Sequence, residues 1–198
     1  MESPFTVLSL VADLLEQHQV AYVLVGSLAS SIHGMYRSTA DIDIVADVKP
    51  HQVLPLVQSL QANFYVDEHA VREAVDQRHS FNAIHFDSVF KVDIFIPKSD
   101  LFSRKQLERR ERRKISPDLE QWIYVATVED TILAKLRRFE SGGRASNTQW
   151  ADVVGMLGAS GSRLDLEYLR EWAETIEVSG LLERAFHEAG DPRSSRPK

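Results

Sequence analysis

The stretch Asp41-Ile42-Asp43-Ile44-Val45 alternates carboxylate and apolar side chains, which is the period-two pattern of a β-strand. Asp41 and Asp43 therefore leave one face of the strand, while the two isoleucines anchor the other face in the core. Two carboxylates repel each other by roughly 4 kcal/mol at a separation of 4 Å and an effective dielectric constant of 20. A site that keeps such a pair usually neutralises it, and oxygen ligands suit Mg²⁺ or Mn²⁺. A strand with one solvated face shows the same alternation.

A second apolar run carries one further carboxylate. The run 89–96 is typical of a strand, and we expect it to pair with a strand at 80–86. Asp93 stands among apolar residues in this run, and an ionised acid is not expected to enter a core without a partner. If this strand lies beside 41–45, three carboxylates converge on one site.

A glycine-serine turn precedes the acidic strand by one short helix. The apolar run 21–25 is typical of a strand buried on both faces, and Gly26 and Ser27 end it. Glycine lets the backbone approach a ligand closely, and the start of the following helix, 27–33, offers N–H donors to a phosphate. Ser27 adds a hydroxyl donor or caps the helix.

The lead-in to the acidic strand completes a specific pattern. Arg37 suits a phosphate, and Thr39 suits a contact that fixes the loop. Four features follow one another along the chain: Gly-Ser, a helix, Arg-x-Thr-x-Asp-x-Asp and a later Val-Asp. On these residues the chain resembles the nucleotidyltransferase-fold superfamily that includes DNA polymerase beta, and within it the AbiEii-like branch of bacterial toxin-type transferases. Arg37 and Thr39 are typical of the branch. Five residues carry the resemblance to the superfamily as a whole: Gly26, Ser27, Asp41, Asp43 and Asp93.

The resemblance continues beyond the acidic strands. The segment 127–135 looks like the branch's helix that brings a lysine, here Lys135, to the nucleotide. The segment 149–153 looks like its later helix, which bears an aspartate at Asp152. The toxins usually carry a Lys-Asp pair where this chain has Thr148-Gln149, a departure that bears on toxin activity and substrate more than on fold. From the residues alone, Lys135 is a solvated helix residue and Asp152 is equally well explained as a structural anchor.

The resemblance implies an α/β fold with a mixed β-sheet core flanked by helices. Hydrophobic periodicity predicts this core over 1–125, a helical region over 126–190 and a polar tail over 191–198. It predicts helices at 5–17, 53–60, 68–77, 128–140, 148–157, 166–176 and 181–189, and a strand at 122–125.

The resemblance also implies a reaction. Two divalent ions, Mg²⁺ or Mn²⁺, would be bridged by Asp41 and Asp43, with Asp93 on one of them. A nucleoside triphosphate would bind with its phosphates at Gly26 and Ser27, helped by Arg37, Thr39 or Lys135. A nucleoside monophosphate would then pass to an acceptor hydroxyl on RNA, protein or a small molecule. A site that binds nucleotide and metal without turnover is the alternative within the same fold.

Composition limits the remaining possibilities. The 198 residues, 43% hydrophobic and 26% charged, suit a soluble globular protein with one compact domain or with a core and a small appended domain. No apolar run approaches the roughly 20 residues that cross a bilayer, so we expect no membrane segment. The chain has no cysteine, which excludes disulfides, thiol catalysis and cysteine-based zinc sites. Residues 1–6 lack the basic-then-apolar order of a secretory signal, and this pattern favours a cytoplasmic location.

Charge is distributed unevenly along the chain. The net charge of −6 argues against broad binding to nucleic acid, yet Arg104–Lys114 holds seven basic residues against two glutamates. This basic segment suits an RNA partner, and an RNA-binding module is a second alternative function. Such runs are more often a solvated helix face or an edge strand.

Overall fold

The computed structural model describes residues 3–34, 39, 41–88, 90–116 and 119–190. Helices and strands are interspersed up to residue 125, and among the described residues beyond it the elements are helices. In chain order the elements are α1 (Pro4–Gln17), β1 (Tyr22–Val25), α2 (Gly26–Ile32), β2 (Asp41–Ala46), α3 (Val53–Leu60), β3 (Phe64–Tyr65), α4 (Glu68–Gln77), β4 (Ser80–His85), β5 (Lys91–Phe95), α5 (Leu101–Glu108), β6 (Glu111–Ser116), β7 (Leu119–Val125), α6 (Val128–Ser141), α7 (Asn147–Ser160), α8 (Leu166–Thr175) and α9 (Ser179–Glu188). Short 3₁₀ turns lie at Pro50–Gln52 and Gly161–Arg163.

Within the described residues, seven strands form one mixed sheet in the order β3-β4-β5-β2-β1-β7-β6. Strand β2 runs parallel to β5 and antiparallel to β1, while β1 is parallel to β7. Parallel neighbours need a long crossover, and the segment with α3, β3, α4 and β4 supplies it between β2 and β5. The predicted α/β fold with a mixed sheet is confirmed.

Buried apolar residues lie on both faces of the sheet, with a cluster of Val23, Leu107 and Ala126 on the face opposite to Ile42 and Ile44. Ile42, Ile44 and Ala46 of β2 are fully buried, as the alternation predicts. Helix α1 begins at Pro4 with Ser3 as its cap, and packs on α3, β2 and β7. Burying each of its aliphatic side chains stabilises the fold by about 1.5–3 kcal/mol. The apolar residues of α1 with zero exposure are Val7, Leu8, Val11, Ala12 and Leu15.

The chain divides into two compact units. The first comprises Met1–Leu28 and Arg37–Ala126 and contains the sheet, and the second comprises Ala29–Tyr36 and Thr127–Lys198. In the second unit, α6 packs on α7 and α8, and α9 packs on α7 and α8. None of the described helices combines the length and apolar composition that a bilayer crossing requires.

The predicted helices are all present, with ends that differ by a few residues from the sequence prediction. Strand β3 is absent from the prediction because two residues, Phe64 and Tyr65, are too few to show a period. The basic segment divides between α5 and β6, and β6 is an edge strand of the sheet. Its interpretation as a helix face or edge strand is therefore confirmed.

Candidate active site

The three predicted carboxylates lie on two neighbouring strands. In the parallel pair β2 and β5, Asp43 stands directly opposite Asp93, and Asp41 stands opposite Lys91. Residues 42, 44, 92 and 94 between them are fully buried, so the carboxylates leave the opposite face of the sheet. Neighbouring strands lie about 4.8 Å apart, which is close enough for Asp43 and Asp93 to share a cation.

A lysine ammonium lies within this carboxylate cluster. Lys91 Nζ is 2.8 Å from Asp93 Oδ2 and 3.9 Å from Asp41 Oδ1. The hydrogen bond with Asp93 is the main effect that raises the pKa of Lys91. Partial burial of the ammonium lowers this pKa, while the negative charges of Asp93, Asp41 and Asp43 raise it further. The protein thus supplies a positive charge at the point where sequence reasoning expected a metal ion.

Gly26 packs against Asp43 at the end of β1, where Val25 pairs with Asp43. A Cβ on residue 26 would lie 2.0 Å from Asp43 Oδ2 and 2.8 Å from Asp43 Cβ. Gly26 also has φ of +70°, a conformation that side chains disfavour. Both observations require glycine here, and they place the backbone that begins α2 directly against a proposed metal ligand.

The structure shows part of the loop before β2. The Thr39 hydroxyl lies 3.3 Å from both the backbone nitrogen and the carbonyl oxygen of Asp41. Thr39 therefore ties the lead-in to the first residue of the acidic strand, as its predicted loop role requires. Arg37 lies outside the described residues. Ser27 is partly exposed in the first turn of α2, beside Gly26.

Two polar residues beside the carboxylates were missed by sequence reasoning. Asn82 of β4 stands opposite Asp93, and it is exposed while its neighbours Phe81 and Ala83 are buried. Lys91 shares the face of Asp93 because it lies two residues before it. That spacing was visible in the sequence, and the pairing of β5 with β4 was predicted from it, whereas the pairing of β5 with β2 entered the prediction only as a condition.

The donors present fit a divalent cation by their chemistry. Asp41, Asp43 and Asp93 offer only carboxylate oxygens, which suit Mg²⁺ or Mn²⁺, and the Asp43 carboxylate occupies the space that a side chain on Gly26 would fill. In the described part of the chain, no three His, Asp or Glu residues are grouped closely enough to hold an ion. The Lys91 ammonium is within ion-pair distance of both Asp41 and Asp93. An ion would have to displace it.

Lys135 and Asp152 form a buried ion pair in the second unit. Lys135 Nζ lies 2.8 Å from Asp152 Oδ2, and their side chains are only 5% and 11% exposed. The pair joins α6 to α7. Interpreting Lys135 as a solvated helix residue is therefore wrong, while the nucleotide-binding role of both residues stays a prediction.

Other acidic residues of the segment 127–135 hold helices together. Asp130 is fully buried and accepts a 2.6 Å hydrogen bond from the hydroxyl of Tyr168 in α8. Glu129 accepts a hydrogen bond from the backbone N–H of Asp165, the cap of α8. These contacts dock the start of α8 onto α6.

Several side chains of the basic segment have partners within the protein. Arg110 lies 4.5 Å from the centre of the Tyr124 ring, and Arg112 lies 5.6 Å from it. Arg113 pairs with Glu111, and Lys105 pairs with Glu108. These contacts stabilise the β6–β7 ribbon and α5, and RNA binding by the segment stays a prediction.

Known proteins match this chain in family and in fold. The family model described as "Nucleotidyltransferase of unknown function (DUF6036)" matches residues 5–179. The solved structure of the antibiotic-resistance factor ANT(2'')-Ia is 13% identical with a TM-score of 0.57, over 92% of this chain and 96% of that one. An antigenic nucleotidyltransferase-like protein from Paracoccidioides brasiliensis is 15% identical with a TM-score of 0.53, over 92% and 91% of the two chains. No curated protein matches the chain.

At these identities the two solved structures show the fold alone. Together with the family match, they confirm the nucleotidyltransferase fold that the sequence predicts. The AbiEii-like branch stays a prediction.

Proposed function

Because the chain belongs to the DUF6036 family of nucleotidyltransferases, we propose that it transfers a nucleoside monophosphate from a nucleoside triphosphate to an acceptor hydroxyl. The reaction would take place at the carboxylate face of β2 and β5. The observation that carries this proposal is the register of Asp43 opposite Asp93, with Gly26 packed against Asp43.

The three aspartates would hold the divalent cation that such a site requires. Asp43 and Asp93 face each other across two strands, and Asp41 extends the cluster along β2. When bound, the ion supplies positive charge for the triphosphate and lowers the pKa of a coordinated hydroxyl. Asp93, whose side chain is 22% exposed, is the carboxylate we expect to orient or accept the acceptor's proton.

The turn at Gly26 and Ser27 would hold the phosphates. Without a side chain, Gly26 lets a ligand approach the backbone, and Ser27 adds a hydroxyl donor. Thr39 fixes the strand entrance through its contacts with Asp41. Most of the rate enhancement would then come from positioning and charge neutralisation, since no residue of the site forms a covalent intermediate. The contributions of Arg37, Lys135 and Asp152 to nucleotide binding are proposed on resemblance.

The proposal is tested by measuring the transfer of labelled nucleotide to an acceptor. The full chain is incubated with Mg²⁺ and each of the four α-labelled nucleoside triphosphates, with total RNA, lysate protein or lysate small molecules as acceptor. We expect Asp43→Ala to lower transfer at least about a hundredfold, equivalent to about 2.7 kcal/mol of transition-state stabilisation. Asp47→Ala is the matched control, because Asp47 pairs with Lys49 beyond the end of β2 and should leave transfer unchanged. Equal transfer by Asp43→Ala and the wild type would refute the proposal.

A regulatory protein that binds nucleotide without turnover is the second candidate. The contact of Lys91 with Asp93 favours it, because a lysine already neutralises the cluster. Saturable, Asp43-dependent nucleotide binding without transfer to any acceptor class would select this alternative. The toxin–antitoxin role and the cytoplasmic location belong to the AbiEii-like resemblance and the composition, and they stay proposals.

A further inference from the structure

A lysine ammonium of the chain itself lies beside the carboxylates that the proposed function assigns to a metal. Lys91 is opposite Asp41 in the strand register and two residues before Asp93 on the same strand. Its ammonium contacts Asp93 at 2.8 Å and Asp41 at 3.9 Å. The lysine therefore bridges carboxylates of β2 and β5.

This arrangement differs from an ordinary surface ion pair. Lys49 and Asp47 also approach to 2.7 Å, but they lie two residues apart in one connecting segment. Lys91 instead joins two strands, and the Asp93 side chain that it contacts is only 22% exposed. A divalent ion and the ammonium would compete for the same carboxylates. If both were bound there, their positive charges would repel each other at close range.

We propose that Lys91 is the built-in counter-cation of the carboxylate cluster, which a divalent ion displaces and whose ammonium then contacts the phosphates of the incoming triphosphate. This inference rests on the proposed function and adds its regulation. The ion alone has to remove a favourable contact, so it binds weakly. The triphosphate gives the displaced ammonium a new anionic partner, and the four-carbon stem of lysine allows that movement.

Metal and nucleotide should consequently bind cooperatively. The nucleotide strengthens metal binding because its phosphates form a new contact with the displaced Lys91 ammonium. Thermodynamic reciprocity then requires the metal to strengthen nucleotide binding by the same factor. Replacing Lys91 with an uncharged side chain removes both the competitor and the carrier of this coupling. The variant should bind metal alone more tightly and show less coupling.

The experiment measures binding of Mn²⁺ to the full chain from the loss of the free-ion electron paramagnetic resonance signal. Titrations are made with Mn²⁺ alone and with a non-hydrolysable nucleoside triphosphate. We expect Lys91→Met to bind Mn²⁺ alone at least about tenfold more tightly than the wild type and to lose at least about tenfold in coupling, or about 1.4 kcal/mol. Lys91→Arg keeps the charge and should retain weak binding of Mn²⁺ alone. Lys49→Met removes a lysine of similar exposure and should change neither quantity.

The results separate failure of this inference from failure of the proposed function. Equal or weaker Mn²⁺ binding by both Lys91→Met and Lys91→Gln would overturn the role of Lys91, while label transfer by the wild type would still support the function. Because Lys91 is 41% exposed, both variants are expected to fold, and circular dichroism checks this. Mn²⁺ binding that Asp43→Ala leaves unchanged, without label transfer, would overturn both.

Discussion

At the scale of single residues, the contact between Gly26 and Asp43 is the most constrained feature of the candidate site. A side chain on residue 26 would overlap a carboxylate of the neighbouring strand, and the backbone there has positive φ. Either effect alone would favour glycine. Together they make the conformation of the Gly26–Ser27 turn dependent on the position of Asp43 in the acidic strand.

The substitution Gly26→Ala should therefore abolish nucleotide and metal binding and destabilise the chain by about 1–3 kcal/mol. Gly143→Ala is the matched control, because Gly143 has the same φ of +70° and no atom within 4 Å of the added Cβ. It should reproduce the backbone strain without the loss of binding. Urea unfolding and nucleotide titration of the two variants provide the measurement, and intact binding in Gly26→Ala would contradict the contact's role.

Single residues also show where sequence reasoning ended. The alternation in 41–45 was sufficient to predict which side chains of β2 are buried and which face the site. It did not reveal Lys91 as a member of the cluster, because the pairing of β2 with β5 depends on contacts between distant parts of the chain. A lysine in an amphipathic helix also has no local signal of burial, so the environment of Lys135 was predicted wrongly.

At the scale of elements, buried polar contacts join helices and strands at defined points. In the first unit, the hydroxyl of Tyr22 in β1 donates to Glu16 of α1 at 3.0 Å and accepts from the backbone N–H of Tyr124 in β7 at 3.5 Å. In the second unit, the Lys135–Asp152 pair joins α6 to α7. Each contact makes a different prediction about stability.

Tyr22 should make the stability of the first unit sensitive to alkaline pH. Burial, followed by the charge of Glu16, raises the pKa of Tyr22 well above its usual range. An unfolded tyrosine loses its proton near pH 10, while the folded residue keeps it, so the stability contribution is complete below about pH 10 and falls as pH rises further. Tyr22→Phe should remove this part of the decline and cost about 1 kcal/mol at neutral pH.

Urea unfolding at neutral pH and at about pH 11 tests this prediction. Tyr65→Phe is the control, because Tyr65 is 65% exposed and its hydroxyl should not affect the pH dependence. The same alkaline decline in Tyr22→Phe and in the wild type would contradict the assignment to Tyr22.

The ion pair between α6 and α7 should be costly to break from one side. Lys135→Met leaves Asp152 buried without its cation, and we expect a loss of about 3–5 kcal/mol in unfolding free energy. The double variant Lys135→Met with Asp152→Leu should recover most of that loss, because neither charge remains buried. Denaturant unfolding of the singles and the double measures the coupling, and additive effects would show that the pair is energetically unimportant.

Nucleotide affinity of the same variants addresses the role that resemblance assigns to them. If Lys135 binds nucleotide, the double variant should regain stability without regaining affinity. Recovery of both would make the pair structural only.

Some elements could be predicted more fully than others. Long helices and the apolar strands β1 and β2 carry enough repeats for their period to be read directly from the sequence. The two-residue strand β3 exists only because β4 provides hydrogen-bond partners for it. The basic segment has no uniform period, since it changes from α5 to β6 within a few residues.

At the scale of the whole molecule, the family match and the fold agree with the predicted nucleotidyltransferase superfamily, while neither of them defines the substrate. The family model covers residues 5–179, which include every predicted site residue. The chain's net charge of −6 and the internal partners of its basic segment do not favour a broad polyanion surface. The site itself is therefore the place where the function has to be tested.

Ligand binding should be visible as thermal stabilisation. The Mg²⁺–triphosphate complex, present at about a hundred times its dissociation constant, should add roughly 2.7 kcal/mol to the stability of the state that binds it. At about 2–4 °C per kcal/mol for a chain of this size, the Tm should rise by several degrees. Asp43→Ala should show no rise, and chelation with EDTA should remove it from the wild type without unfolding the chain. A nucleotide-induced rise in the variant equal to that of the wild type would place the nucleotide elsewhere.

The most direct test of the central claim compares α-labelled and γ-labelled nucleoside triphosphate in the presence of Mg²⁺, for the wild type and Asp43→Ala. Nucleotidyl transfer at Asp41, Asp43 and Asp93 predicts that the wild type moves only the α label to an acceptor and releases the γ label as pyrophosphate. Asp43→Ala should do neither. Transfer of the γ label to the acceptor, or unchanged transfer of the α label by Asp43→Ala, would contradict the account.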